Sequence, residues 1–384
     1  MSRIIMSPSS DVDKKLFTPG PLGCSLSVKE AMLRDLGSRD AEFTDKVKQI
    51  RQQLLIIAGV SPDQFTSVLL QGSGTYCVES VLQTTTPRID GRVLILSNGS
   101  YGNRMKKICE VSQIPHDVLP FPEDSVIDLE EVADWLEDHP DTYTTVSVVH
   151  CETSSGVINP VDKVGQLVRA LQPGAAFFVD AMSSFGAVPI DLELCSVDYL
   201  VSSANKCLQG VPGFAFVIAR KKHLLGCKGN ARSLSLDIMD QYEGLEGNGQ
   251  FRFTPPTHAV LAFHRALKEL QFEGGVEARI KRYQKNCQVL QEGMKRMGFK
   301  KLLSDSCKGY IITSYHYPKH PNFTFDEFYR RLSDLGQLIY PGKVTNADCF
   351  RIGNIGDLYP SDMEHLLKCI HQVLSAMGVP VPVS

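Results

Sequence analysis

Reactive side chains collect where apolar runs stop. Tyr199-Leu200-Val201-Ser202-Ser203 gives way to Ala204-Asn205-Lys206, which sets a lysine just past a β-prone, apolar stretch. Burying an ammonium is costly, and desolvation drives a lysine toward the neutral amine that attacks carbonyls and forms Schiff bases. The plain alternative is a strand-end lysine whose ammonium stays in solvent. Earlier, Phe177-Phe178-Val179-Asp180 ends a second apolar run in a carboxylate, and a buried carboxylate needs a partner or a proton. Asp180 and Lys206 lie 26 residues apart, about one strand-to-strand crossover, so both side chains arrive at the same edge of a sheet. Asp180 as a structural carboxylate paired with an arginine is the competing reading.

Other strand ends add to this pair. Gln71-Gly72-Ser73-Gly74-Thr75 leads into a helical pattern; glycines allow close backbone approach, and with hydroxyls and the free N–H groups of a helix start they form an anion cradle. A glycine-rich turn with an ordinary serine N-cap fits the same residues. Ser97-Asn98-Gly99-Ser100-Tyr101-Gly102 either places the Tyr101 ring over the same crevice or packs it on the sheet. Cys151-Glu152-Thr153-Ser154 supplies hydroxyls at a further strand end, Phe253-Thr254-Pro255-Pro256 supplies another before a helix, and Cys349-Phe350-Arg351 carries a guanidinium among apolar residues. A guanidinium forks onto a carboxylate through two parallel hydrogen bonds, so Arg351 is a candidate substrate clamp, with a surface salt bridge as the alternative. An aspartate against a pyridine nitrogen and a lysine at the aldehyde of the same ring is the arrangement of pyridoxal-phosphate enzymes.

These residues must be positioned by alternating elements. Strand-like runs at 67–70, 92–96, 145–150, 176–180, 199–203 and 214–219 are separated by helix-like segments at 76–83, 101–112, 129–137 and 161–171. Such interleaving predicts an α/β fold with a mostly parallel sheet, helices on both faces and ligands at the carboxyl ends of the strands. From about residue 255 the texture changes to two long helical patterns, 257–273 and 276–297, and then a βαβ-like set over 310–374. The expected organisation is a loose tail at 1–15, a large domain at 16–255 with its N-terminal segment against the smaller one, and a small α/β domain at 256–384.

Composition excludes several functions. Forty basic and 43 acidic side chains in 384 residues leave a net charge of -3, which gives no footprint for nucleic acid. The eleven cysteines form no C-x-x-C pair or zinc spacing, so they read as reduced thiols with neither a metal site nor a disulfide framework. No apolar run reaches the roughly 18 residues of a membrane span. A cytoplasmic location is expected; a mitochondrial leader stays open because no acid precedes Asp11.

With these pieces assembled, the sequence resembles the class V aminotransferases of fold type I. The resemblance runs from Leu16-Phe17-Thr18-Pro19-Gly20-Pro21 to beyond Tyr359. It is carried by Leu69-Leu70-Gln71-Gly72-Ser73-Gly74, Val179-Asp180-Ala181-Met182-Ser183-Ser184, Ser202-Ser203-Ala204-Asn205-Lys206, Ile339-Tyr340-Pro341-Gly342-Lys343 and Cys349-Phe350-Arg351-Ile352-Gly353-Asn354. It implies pyridoxal 5'-phosphate carried covalently on Lys206, with Asp180 at the ring nitrogen, Tyr101 stacked on the ring and Thr153 at the ring hydroxyl. Ser73, Gly74 and Thr75 hold the phosphate, Ser203 contributes beside the lysine, and Thr254 completes the site from the other subunit of a homodimer. It further implies ping-pong transfer from 2-aminoethylphosphonate to pyruvate, with Arg351 on the carboxylate. The chain departs from the bacterial pattern at residues 38–43, where Arg39 offers a second positive charge to the donor. Alanine:glyoxylate or serine:pyruvate exchange shares every catalytic residue and remains the alternative. A desulfurase would show a histidine over the ring and a mobile-loop cysteine, whereas this sequence has Tyr101 and a strand-embedded Cys349. An inactive dimeric scaffold is the non-enzyme alternative, and it leaves the joint retention of Lys206, Asp180 and the 72–75 loop without a purpose.

Overall fold

In a computed structural model of the chain, residues 13–304, 307 and 309–383 are described. A short strand β1 (Lys15–Leu16) precedes helices α1 (Leu26–Glu30) and α2 (Ala41–Ala58). Alternation then sets in with β2 (Phe65–Gln71), α3 (Gly74–Thr85), β3 (Val93–Ser97), α4 (Ser100–Val111), β4 (His116–Pro120), α5 (Leu129–Asp138) and β5 (Thr145–Val149). A small hairpin, β6 (Cys151–Glu152) and β7 (Val157–Ile158), leads to α6 (Val161–Leu171), β8 (Ala176–Asp180), β9 (Tyr199–Ser203) and β10 (Phe214–Arg220). Four helices follow, α7 (Lys221–Leu225), α8 (Ile238–Gly247), α9 (Thr257–Glu273) and α10 (Gly275–Arg296). The chain ends with β11 (Ile312–His316), α11 (Phe325–Asp334), β12 (Gln337–Leu338), β13 (Tyr340–Pro341), β14 (Cys349–Gly353) and α12 (Pro360–Ala376).

Seven strands form one sheet in the order β2-β10-β9-β8-β5-β3-β4. Every residue of β3, β5, β8 and β9 is buried. Because successive side chains point to opposite faces, both faces must be covered. On β8 this gives Phe177 to one face and Phe178 to the other, and truncating either anchor to alanine costs about 3–5 kcal/mol. The pairs β3–β4, β3–β5, β5–β8 and β8–β9 are parallel. β10 alone runs the other way, antiparallel to both β9 and β2. The carboxyl ends of β2, β3, β5, β8 and β9 therefore share one edge, which is where an open α/β sheet binds its ligands.

The C-terminal region packs a separate apolar cluster around Leu290, Met294, Tyr315, Phe350, Ile352, Leu366 and Ile370. Its three-stranded sheet, β11-β14-β13, is antiparallel throughout, which corrects the βαβ reading of residues 310–374. The N-terminal segment lies on this body: β1 pairs in parallel with β12, Phe17 joins the same cluster, and the Gly353 N–H donates to the Phe17 carbonyl at 2.9 Å. The loose tail expected at 1–15 falls, up to residue 12, outside the described residues.

Candidate active site

The shared sheet edge encloses a cavity of about 270 Å³ lined by Gly20, Pro21, Ser73, Gly74, Thr75, Val78, Tyr101, Arg104, Asp180, Met182, Ser203, Asn205 and Lys206. Seven of the residues singled out in the sequence are on its wall: Ser73, Gly74, Thr75, Tyr101, Asp180, Ser203 and Lys206.

Asp180 is the last residue of β8 and is 5% exposed. Its Oδ1 accepts the Met182 N–H at 2.9 Å, and it has no ion pair among the described residues. Burial pushes its carboxyl up to about 6, against the pull of the Met182 N–H, Lys206 and Arg104. The structural arginine pair is therefore not what holds it. Lys206 follows β9 through a short turn, and its Nζ donates to the Pro19 carbonyl at 2.6 Å. Burial pulls its pKa below the ordinary lysine value, with Tyr101 and Asp180 opposing. Gly20, at φ +130°, must lack a side chain here, because a Cβ would occupy the space of the Lys206 ammonium. The opposite wall is the 72–75 turn. Ser73 takes the N-cap position of α3, yet its hydroxyl makes no capping hydrogen bond, leaving it for a ligand beside the free N–H groups of the helix start. Gly74 has no room for a Cβ against Met182. Ser203 Oγ donates to Asn205 Oδ1 at 3.1 Å.

Tyr101 sits in the first turn of α4. Burial raises its phenol, but a hydrogen bond with Thr153 and the charges of Lys206, Lys343 and Arg351 outweigh that and bring it below the ordinary value. Thr153 is buried, and its carbonyl accepts from Arg351 Nη1 at 2.7 Å; Arg351 Nε donates to the Pro341 carbonyl at 2.9 Å. Thr153 and Arg351 thus adjoin Tyr101 and are not among the residues that line the cavity. Burial lowers the Arg351 pKa, and it has no carboxylate partner among the described residues. Two candidates are not brought to the cavity within one chain. Thr254 is exposed, with its carbonyl accepting from Gln71 Nε2 at 3.1 Å, and Arg39 is exposed before α2. Cys349 is buried in β14, its thiol raised by burial.

Three residues were given no role by the sequence reading. Arg104, one turn after Tyr101, lines the cavity, donates from Nη1 to Thr75 Oγ1 at 3.3 Å and lies 4.9 Å from the Tyr101 ring centroid. Lys343 Nζ lies 4.4 Å from the same centroid. Glu152 is fully buried, accepts from the Tyr101 N–H (3.1 Å), the Ser154 N–H (3.1 Å) and Ser154 Oγ (2.6 Å), and has its pKa raised by burial. It places negative charge at the start of α4, where the helix dipole favours it. Among the described residues, no group of three or more His, Cys, Asp or Glu could hold a metal ion, and no helix is long and apolar enough to cross a membrane.

Residues 25–320 match the family model described as aminotransferase class-V. A 2-aminoethylphosphonate–pyruvate transaminase of Phocaeicola vulgatus is 50% identical over 361 residues, covering 93% of this chain and 98% of that protein. One of Salmonella typhimurium is 50% identical over 361 residues, covering 94% and 97%. Among solved structures, pyridoxamine–pyruvate aminotransferase of Mesorhizobium loti superposes with a TM-score of 0.85 at 25% identity, covering 98% of this chain and 96% of the other.

Proposed function

The chain belongs to the class-V aminotransferase family, and from that premise we propose that it transfers the amino group of 2-aminoethylphosphonate to pyruvate, giving phosphonoacetaldehyde and L-alanine. The observation that carries this reading is a buried, unpaired carboxylate and a desolvated lysine, Asp180 and Lys206, opposite an uncapped helix start in one cavity. Relatives of half-identical sequence over nearly the whole chain bear the same activity in their names.

The cavity fits pyridoxal 5'-phosphate. Asp180 is an orphaned acid that a protonated ring nitrogen would neutralise, and the Ser73 hydroxyl is unengaged at the other end. Bound there, the cofactor supplies a carbonyl carbon that receives the amino group and a ring that holds the electron pair left on the donor carbon. Ser73, Gly74 and Thr75 would hold its phosphate, with the Arg104 guanidinium behind Thr75; Tyr101 would cover the ring face and Thr153 reach the ring hydroxyl. Asp180 would hold its negative charge in a dry site, where it would act most strongly on a cationic ring. Lys206 would attach the cofactor, and its Nζ, whose pKa burial lowers, would on displacement be the base placed to take the proton from the donor carbon. In the second half-reaction the same amine would return a proton to the carbon derived from pyruvate, with Arg351 orienting the carboxylate. The two half-reactions share one site, so ping-pong kinetics follow.

The same proposal includes a homodimer in which Thr254 of one copy completes the phosphate site of the other, a division into units at 16–255 and 256–384, and a cytoplasmic location. Tyr76 and Phe253, next in the chain to Thr75 and Thr254, are exposed aromatic side chains that a second copy would cover. A donor screen with pyruvate, read as alanine formed, tests the function. Turnover of 2-aminoethylphosphonate well above alanine, serine and taurine is expected. Equal turnover of a simple amino acid with glyoxylate as acceptor would move the reading to alanine:glyoxylate exchange.

A further inference from the structure

Resting on that functional reading, we propose that Lys343 is a specificity-determining residue, the second cation that together with Arg351 receives the phosphonate group of the donor. Two positive side chains converge on Tyr101 from the β13–β14 loop and strand, and neither has a carboxylate partner among the described residues. Arg351 spends Nε and Nη1 on the carbonyls of Pro341 and Thr153, which leaves Nη2 without a partner among the described residues. Lys343 is half-buried, and among the described residues its ammonium makes no hydrogen bond or ion pair; it lies over the face of the Tyr101 ring at 4.4 Å. A cation–π contact is a modest hold that a charged oxyanion readily outcompetes.

The two cations are held in fixed relation. Tyr340 and Pro341 pair in register with Arg351 and Phe350, so the carbonyl that anchors Arg351 is two residues from Lys343. The Gly342 N–H donates to the Cys349 carbonyl at 2.9 Å, and a Cβ at Gly342 would strike that carbonyl, so only glycine lets the loop close this tightly. Two carboxylates near this loop are already engaged: Glu152, whose charge acts on Arg351, at the start of α4, and Glu123 on the N–H and hydroxyl of Thr345. A carboxylate carries one charge on two oxygens, which one guanidinium fork satisfies. A phosphonate, like a phosphate ester, carries up to about two charges on three oxygens and leaves an acceptor that Arg351 alone does not reach. Arg39, the second cation expected from the sequence, is exposed before α2, whereas Lys343 and Arg351 both act on Tyr101, which lines the cavity.

The test compares ethylphosphonate with ethanesulfonate, which share a tetrahedral head but differ in charge, binding to the cofactor-loaded enzyme by calorimetry above pH 8. The preference for phosphonate over sulfonate should fall about 10- to 100-fold in Lys343→Met, the scale of one charge-assisted hydrogen bond, and be largely restored in Lys343→Arg. In parallel, kcat/KM for 2-aminoethylphosphonate should fall in Lys343→Met through KM. An unchanged preference in Lys343→Met overturns the inference while leaving the transaminase reading intact. Wild-type enzyme that does not turn over 2-aminoethylphosphonate overturns that reading, and the binding comparison still decides the role of Lys343.

Discussion

Removing the Asp180 charge should make the cofactor-free protein more stable at neutral pH, although it cripples the enzyme. The carboxyl is 5% exposed, has no ion pair among the described residues, and titrates at about 6 instead of 3.8 because burial penalises the anion. At about 1.4 kcal/mol per pKa unit, the difference corresponds to roughly 3 kcal/mol. The folded state holds this proton more tightly than the unfolded chain, so stability falls as pH rises from about 4 to about 6 and is level above that. Asp180→Asn removes the titration and keeps an oxygen to accept the Met182 N–H. The apo variant should therefore gain about 2–3 kcal/mol over apo wild type between pH 4 and pH 8. Urea unfolding of both apoproteins across that range measures the gap directly. A gap that is flat with pH would refute the claim that Asp180 is buried as an uncompensated acid. Loaded with cofactor the order should reverse, since the ring cation loses its counter-charge.

Other predictions concern the remaining walls of the cavity. Lys206→Ala should lose covalent retention of pyridoxal phosphate, so that borohydride fixes none, whereas in wild type the label maps to the Lys206 peptide; a label on any other lysine overturns the assignment. Arg104→Gln should weaken pyridoxal 5'-phosphate about 10-fold or more while leaving phosphate-free pyridoxal unchanged, a difference of one charge-assisted hydrogen bond readable by fluorescence titration of the apoprotein. Thr254→Ala should weaken the cofactor in a protein that sediments as a dimer; a fully active monomer on dilution would remove both the shared site and the role of Thr254.

The sheet was legible because its strands are apolar along their whole length, a pattern that only a doubly covered sheet explains. The direction of β10 was less so. Phe214-Ala215-Phe216-Val217-Ile218-Ala219 reads the same whichever way it runs. The signal lay in the connection: residues 204–213 hold ten positions and no helix, too short for the crossover a parallel neighbour needs. The same reasoning corrects the C-terminal sheet, where β13 and β14 are joined by a loop alone. The edge strand β4 was missed because His116-Asp117-Val118-Leu119-Pro120 carries the polar residues and proline tolerated on an edge. Helix α2 had its signal in plain sight, an Asp40 cap, apolar Phe43, Val47, Ile50 and Leu54 on one face, and Gly59 in the left-handed conformation at its end.

The site divides along the same physical line. Asp180, Lys206 and the 72–75 turn announce themselves because each breaks a local pattern: a charge ending an apolar run, or glycines where a helix should begin. Glu152 serves α4 from 51 residues beyond Tyr101, and Lys343 meets that ring from a different body of the chain; nothing local in either segment encodes the meeting. Arg104 looked like any solvent-facing arginine on an amphipathic helix until the fold set Thr75 beside it. The cavity is correspondingly lopsided, with Asp180 and Ser203 buried while Ser73 and Arg104 stay open to solvent. The end that would hold the phosphate is thus the end one chain leaves unfinished. A bound dianion there would lose much of its attraction to Arg104 through solvent screening, so excluding water from that mouth by the Thr254 segment of a second copy would strengthen the same hydrogen bonds without adding a charge.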